Sequence, residues 1–319
     1  MTVVVPTRDR PALLEAALRS VVLQTHPVDQ ILVVDDGSRE PVSSGALGRI
    51  SPSIELIRRE TSRGVSAARN AGLDRARGDV VVFLDDDDLI HPRLVEEALT
   101  VLEAQPAAGA VVFLYKSFSD ENPLGESETQ ADALPPLPEG IAAGSTPFVA
   151  PRITDNPVPR GTLEARPVSA FLRYLIPVQS CVIRRKAIGD LRFPETLRQG
   201  EDTHFWIAVA AAGCRFAFDP RIRAYVRRHE GNVTRSRARY VREIQACYST
   251  LLADSLLTAP DDVFLAHLKL AWFQVSTGRG GWRHLFHVVL SPRHLASETA
   301  FWLANLLRRG RSLSRRSAP

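Results

Sequence analysis

Cysteine is scarce in this 319-residue chain: Cys181, Cys214 and Cys247 are widely separated, and no two form a C-x-x-C pair. That spacing excludes a disulfide framework and gives no zinc signature, so a reducing cytosol is the expected compartment. Long apolar runs are missing too. No stretch approaches the ~18 uninterrupted apolar residues that argue for a spanning helix. The N-terminus enters a strand-like run at Thr2 to Val5, with no basic segment and apolar stretch of a secretory leader. There is no internal repeat. Nor is there a glycine-rich loop with a lysine near the N-terminus, where the chain reads Arg8-Asp9-Arg10, and this argues against a nucleotidyltransferase.

What is present supports a large globular core. Hydrophobic residues make up 45% of the chain, enough for one large core and a smaller appended unit. Net charge is only +4, but Arg308, Arg309, Arg311, Arg315 and Arg316 make the C-terminal end strongly basic. Such an end either keeps the tail soluble or contacts an anionic membrane surface.

Short Val/Ile/Leu-rich runs at Val3 to Val5, Ile31 to Val34, Ile54 to Ile57 and Val80 to Leu84 alternate with longer segments of helical character. Pro11 opens a helix on which Leu13, Leu14, Ala17, Leu18, Val21 and Val22 recur at helical spacing. A second helix is expected over Val65 to Ala76, with Gly78 as its C-terminal cap. Continuous apolar strands joined by helices imply an α/β fold with a parallel sheet covered on both faces. Ligands of such sheets lie beyond the carboxyl ends of the strands. By that rule the loops Pro6-Thr7-Arg8-Asp9, Asp35-Asp36-Gly37-Ser38 and Asp85-Asp86-Asp87-Asp88 meet at one crevice.

From about Ser117 to Gly161 Pro, Gly, Ser, Glu and Asp crowd out periodic apolar residues, which predicts a long loop or lid. Order resumes near Pro167 with a helix around Ser169 to Leu175, a strand around Ser180 to Ile183 and a helix around Asp202 to Ala212. Beyond Arg235 helices are expected over Tyr240 to Leu257, Asp262 to Val275 and Ser297 to Leu307. The division this predicts is 1–116 and 162–234 as two halves of one domain, 117–161 as a variable loop, and 235–319 as a helical extension with a basic tail.

The four consecutive aspartates follow the apolar run Val80 to Leu84. Carboxylates packed this closely repel one another, and a divalent cation with a phosphate-bearing ligand relieves that cost; the plainer alternative is an acidic turn with Asp88 capping the next helix. Asp36 is placed to accept from a base N–H or a ribose hydroxyl, or to form an Asx turn. In Arg63 to Gly72 small residues let a helix approach the sheet closely. Arg69 remains there as a donor for a phosphate or for the aspartates, or as a solvated helix arginine.

VVVPTRDRPALLEAALRSVVLQT, VDDGS, RGVSAARNAGLDRARGDVVVFLDDDD followed by HP, and QGED in the second half together resemble a family 2 glycosyltransferase. The match runs from Thr2 to about Leu102 and resumes from about Ser180 to Thr234. The resemblance implies the GT-A fold, a Rossmann-like mixed, mostly parallel sheet flanked by helices. It further implies an inverting enzyme that moves a sugar from a nucleotide-sugar, a UDP-sugar, to a hydroxyl of a glycan or lipid-linked saccharide. The cysteine spacing and the basic C-terminal end, for their part, point to the cytoplasm or the inner face of the membrane. Nucleic acid is not an expected partner. A non-catalytic nucleotide-sugar-binding module in an assembly complex is the alternative.

Carried over residue by residue, the resemblance puts Pro6, Thr7 and Arg8 at the nucleotide base with Asp36, and Arg69 in the same nucleotide-sugar-binding group. The metal-binding D-x-D falls on Asp85-Asp86-Asp87, with Asp87 as the direct ligand of Mg2+ or Mn2+ and Asp85 or Asp86 nearer the ribose. Asp202 of QGED becomes the general base; read without the resemblance, it is the N-cap of the helix that follows. Arg227 to Thr234 resembles a further motif, R-x-H-x-G-N-x-S, in which His229 touches the metal or diphosphate and Asn232 and Thr234 hold the phosphate loop. Trp206, one turn after Asp202, either stacks on an acceptor sugar or packs in the core. The helix carrying Phe301, Trp302, Leu303, Leu306 and Leu307 either docks on the protein or lies in a membrane interface.

Overall fold

The computed structural model describes residues 1–118, 160–228, 237–276 and 284. The chain forms two compact units, Met1–Ser236 and Arg237–Pro319.

The first unit opens with three β–α repeats. They comprise β1 (Thr2–Thr7), α1 (Pro11–Val22), β2 (Gln30–Asp36), α2 (Ser44–Ile50), β3 (Ile54–Arg59), α3 (Val65–Arg75) and β4 (Val80–Phe83). After these come β5 (Leu89–Ile90), α4 (Leu94–Ala104) and β6 (Ala110–Phe118). The second half adds α5 (Arg160–Ala165), α6 (Pro167–Arg173), a 3-10 turn (Val178–Ser180), β7 (Cys181–Arg184), α7 (Arg185–Ile188), α8 (Glu201–Ala211) and β8 (Phe216–Arg227).

The sheet has eight strands in the order β3-β2-β1-β4-β7-β6-β8-β5. β3, β2, β1 and β4 run parallel, β7 is antiparallel to both β4 and β6, β6 is parallel to β8, and β5 is antiparallel to β8. β1, β2 and β4 are buried along their whole length, which is why they read as unbroken apolar runs. The chain moves from β1 outward to β2 and β3, then returns to β4 on the other side of β1. β1 pairs with β4 only through Val4↔Phe83 but continues with β2 to Thr7↔Asp35, so the sheet parts beyond Val4 and a crevice opens at this switch point.

Gly72 lets α3 lie against the sheet, since a Cβ there would stand 2.3 Å from Val4 Cγ1. Gly78, in contrast, is not the cap of α3. The helix closes at Ala76, whose N–H donates to Leu73 O, and Gly78 passes so near the backbone of Met1 and Thr2 that a Cβ would lie 2.7 Å from it.

β6 runs to Phe118, and α5 begins at Arg160; the rest of the expected loop, 119–159, lies outside the described residues. β8 is a long strand that the sequence reading left out. Its pairing with β6 steps from Phe113↔Asp219 to Leu114↔Ile222, so Pro220 and Arg221 bulge out of the ladder, and their turn-like chemistry masks the strand.

The second unit contains α9 (Arg237–Ala253) and α10 (Pro260–Ser276). Ile244, Cys247, Tyr248 and Leu251 recur at helical spacing and are buried, as are Phe264, Leu265, Leu270 and Ala271. Lys269 Nζ donates to Tyr248 Oη at 2.8 Å, and the Nδ1 atoms of His267 and His284 share a hydrogen bond of 2.8 Å. Among the described residues no helix is long and apolar enough to cross a membrane. The expected helix over Ser297 to Leu307 and the arginine tail lie outside the described residues.

Candidate active site

Thr7 to Arg10, Asp35 to Ser38 and Asp85 to Asp88 all leave the sheet on the edge where β1 and β4 separate. Asp9 holds the first two loops together. It adopts φ of 56°, its N–H donates to Ser38 Oγ at 3.0 Å, and its Oδ1 accepts from the Arg39 N–H at 2.9 Å.

The two carboxylates ending β2 differ in work. Asp35 makes the Asx turn, accepting from Ser38 N at 2.9 Å and Val42 N at 3.0 Å, with Arg58 Nη1 at 2.7 Å. Asp36 accepts from Ser62 Oγ at 2.6 Å, Gly64 N at 2.8 Å and Arg63 N at 3.2 Å, with Arg59 Nε at 3.3 Å. Asp36 therefore fixes the loop before α3. Arg8 is exposed and donates to the same Ser62 hydroxyl at 3.0 Å, so the predicted residues Arg8 and Asp36 share one neighbour. Pro6 is buried in β1, past the last pairing with β4, where its missing N–H leaves no β4 ladder bond unmade.

All four aspartates are engaged, Asp86 and Asp87 sharing one arginine. Asp85 accepts from Arg69 Nη2 at 2.6 Å. Asp86 accepts from Thr7 Oγ1 at 2.7 Å and Arg10 Nη1 at 3.1 Å. Asp87 accepts from Arg10 Nη1 at 2.9 Å, and its carbonyl accepts from Arg227 Nε at 3.0 Å. Asp88 is buried and does not cap α4, whose N-cap is Arg93; it accepts from Gln179 Nε2 at 2.5 Å and from the Arg227 N–H at 2.7 Å. Asp88 thus ties the loop to the end of β8.

Arg69 is not solvated. It is buried on α3, and besides Asp85 it reaches Glu201 Oε1 at 3.0 Å. That bridge brings the N-terminus of α8, and with it Asp202, to the aspartate loop. Gly200, at φ of 78°, occupies the N-cap of α8, so Asp202 is not the cap. Asp202 Oδ1 accepts from the Thr203 N–H at 2.6 Å, and its Oδ2 accepts no hydrogen bond among the described residues.

Electrostatics follow from burial. Desolvation pushes Asp86 up to about 6, against the pull of Arg10 and Thr7. Burial, then the charges of Asp87 and Asp85, hold Asp88 well above the usual carboxylate range. Glu201 is pushed up to about 7 by burial and by Asp202, with Arg69 opposing. Burial raises Asp202 as well, Arg69 opposing and Asp85 adding to the rise. For Arg10 burial lowers the affinity for the proton, but Asp86 and Asp87 outweigh it and the net shift is upward.

The donor set suits a hard divalent cation. Asp85 and Asp87 offer carboxylate oxygens at the edge of the crevice. Among the described residues, though, no three His, Cys, Asp or Glu side chains are grouped to hold an ion by themselves. Mg2+ is typically held by one or two carboxylates plus substrate phosphates, and Asp87 meets the lower end of that pattern. His229, the other predicted ligand, lies outside the described residues, as do Asn232 and Thr234.

Trp206 is buried in the core, stacked on Phe171 at 6.2 Å between centroids and set edge-on to Phe205 at 5.1 Å, so it does not face an acceptor. Three contributors escaped the sequence reading. Arg10 looks like an ordinary charged residue before a helix, Gln179 lies in a segment without periodic signal, and Glu201 was legible only as the neighbour of Asp202.

Comparison with known proteins bears on this geometry. The family described as "Glycosyl transferase family 2" matches residues 2–154. The pre-mycofactocin glycosyltransferase of Mycobacterium tuberculosis is 28% identical over 313 residues, covering 94% of this chain and 59% of that protein. This chain spans from 30% to 59% of the length of such curated relatives. Among solved structures, the mannosyltransferase PcManGT of Pyrobaculum calidifontis, in complex with GDP-Man and Mn2+, superposes with a TM-score of 0.58 at 19% identity, covering 98% of this chain and 79% of that one. TarS of S. aureus in complex with UDP superposes with a TM-score of 0.54 at 17% identity, covering 86% of this chain and 71% of that one. At these identities the likeness is one of fold, and it is the GT-A glycosyltransferase fold.

Proposed function

We propose that this chain, whose residues 2–154 match glycosyl transferase family 2 and which shares the fold of solved glycosyltransferases, is a metal-dependent inverting glycosyltransferase. It takes a sugar from a nucleoside-diphosphate sugar, a UDP-sugar, and passes it to a hydroxyl of a glycan or lipid-linked saccharide. One observation carries the reading: Arg69 joins Asp85 of the aspartate loop to Glu201 of α8, so a donor-facing acidic loop and a carboxylate base, Asp202, share one crevice.

In this reading Thr7, Arg8 and Pro6 line the nucleotide end, with Asp36 shaping the loop beside them. Asp85 and Asp86 stand near the ribose, and Asp87 would hold the Mg2+ or Mn2+ that, when bound, neutralises charge developing on the diphosphate leaving group. Asp202 accepts the proton of the acceptor hydroxyl through Oδ2 as the new bond forms. A single base opposite the leaving group gives inversion. The diphosphate nucleotide is supported by the relatives of this fold bound to UDP and to GDP-Man with Mn2+.

The test is a panel of nucleotide-sugars incubated with purified protein and Mn2+, with nucleotide release and acceptor mass as readouts. Asp202→Asn is expected to leave nucleotide binding nearly intact and to abolish transfer. Full transfer by that variant sinks the assigned base, and no nucleotide binding across the panel sinks the reading.

A further inference from the structure

Phe193 lies between α7 and α8 and belongs to no helix or strand, yet only 1% of it is exposed. One side chain serves both of its backbone groups. Asn70 of α3 donates through Nδ2 to the Phe193 carbonyl at 2.9 Å, and Asn70 Oδ1 accepts from the Phe193 N–H at 2.8 Å. This reciprocal pair fixes which end of the amide faces which group. Salt bridges hold the segment on either side, Arg192 with Asp74 at 2.9 Å and Glu195 with Arg63 at 2.5 Å, but all four side chains are open to solvent and such pairs contribute little. Asn70 is itself buried, and hydrogen bonds to buried groups cost more to lose.

The ring held in this way touches three parts of the active site. It stacks on Phe205 of α8 with centroids 3.9 Å apart, and Phe205 stands about one helical turn after Asp202. It meets Phe83, the last residue of β4, edge-on at 4.9 Å, just before the aspartate loop. The Arg69 guanidinium carbon lies 5.2 Å from its centroid, and that guanidinium spans Asp85 and Glu201.

We infer that Asn70 is a positioning residue for transfer: by fixing Phe193 it sets the distance and angle between Asp202 and the aspartate loop. This rests on the glycosyltransferase reading above and goes further, since it assigns the alignment of base and donor to a residue belonging to neither. Without the amide, two buried backbone groups lose their partners, and Phe193 shifts to hydrate them. The ring on which Phe205 and Arg69 rest moves with it. A displacement of about 1 Å in a reacting group costs on the order of a hundredfold in rate. The nucleotide end is built by the loops after β1 and β2 instead, so donor binding survives.

The experiment compares the full chain with Asn70→Ala, Phe193→Leu and the double variant. Nucleotide release from a panel of UDP- and GDP-sugars with Mn2+ gives kcat per nucleotide-binding site, and titration with UDP or GDP gives Kd. Phe193→Leu keeps the backbone bonds to Asn70 but removes the stack and the ring beside Arg69. Each single variant is expected to lower kcat by about tenfold to a hundredfold, with nucleotide Kd within about twofold of wild type. The double variant should be little slower than the slower single one, because both changes cut the same link. A purely structural Asn70 would lower Tm and leave kcat per binding site at the wild-type value; that outcome overturns the inference, as do independent, multiplicative losses in the double variant. If Asn70→Ala does not fold, Phe193→Leu decides, and an unchanged kcat there overturns the inference while the glycosyltransferase reading stands. A wild-type chain that binds neither nucleotide and releases none across the panel overturns both.

Discussion

Arg69 and Glu201 stand 132 residues apart in the chain and meet at 3.0 Å, with Asp85 at 2.6 Å on the other arm of the same guanidinium. A buried charge with two carboxylate partners holds two halves of the site in one place. It also makes their stabilities interdependent.

Replacing Arg69 by Met should therefore destabilise the fold by roughly 3–5 kcal/mol, the usual cost of breaking a buried ion pair from one side. Urea denaturation of the variant against wild type measures it. A loss below about 1 kcal/mol, the level of a surface pair, would contradict the burial argument.

The pair Glu201 and Asp202 should govern the acid side of the pH–rate profile. Glu201 is pushed up to about 7, and burial raises Asp202 in the same direction. A base works deprotonated, so activity should be present above that region and fall as pH drops through it, with the apparent value belonging to the pair. Glu201→Gln removes a competing negative charge and frees Arg69 to favour ionised Asp202, which moves the acid limb to lower pH. A limb that stays in place in this variant refutes the coupling.

The same shift has a signature in stability. Glu201 loses its proton near 4.5 when unfolded and near 7 when folded. Between those values the folded state binds the extra proton, so stability should decline as pH rises across the window and level off above it. Thermal melts from pH 4 to 8 on wild type and Glu201→Gln, with the variant showing the shallower decline, check the sign.

Gly72→Ala should cost about 1–3 kcal/mol by overpacking, because its new methyl meets Val4 Cγ1. Val4→Ala in the same chain removes that methyl's obstacle, and the double variant should lose less than the sum of the two single changes. Strict additivity in chemical denaturation would show that the contact is not the cause.

Core packing predicts a different outcome at Trp206. Trp206→Ala should lower stability by ~3–5 kcal/mol. Trp206→Phe, which keeps the aromatic stack with Phe171, should leave the acceptor KM near wild type in steady-state assays. A large rise in KM with unchanged stability would return Trp206 to the acceptor site.

Much of this arrangement was legible in sequence because it is written in local patterns. Strands β1 and β4 are buried along their whole length, so Val3 to Val5 and Val80 to Phe83 announce themselves. The three loops follow from the rule that ligands gather at strand ends. What stayed hidden depends on partners far along the chain. Asp88 looked like a helix cap, but Gln179 and Arg227 claim it. Gly78 looked like a helix stop, yet its smallness is needed by Met1 and Thr2. Arg10 shows no pattern at all, since nothing local distinguishes an arginine that reaches a loop 76 residues away.

The place of β7 in the sheet sets a condition on synthesis. β4 and β6 flank it as antiparallel neighbours, yet β7 begins only at Cys181. As the chain leaves the ribosome, both flanking strands emerge with unpaired backbone groups and wait for residues 181–184. A fragment cut at residue 154, the end of the family match, would keep those edges open permanently. Such a fragment should be recovered from inclusion bodies rather than from the supernatant, although it carries all four aspartates.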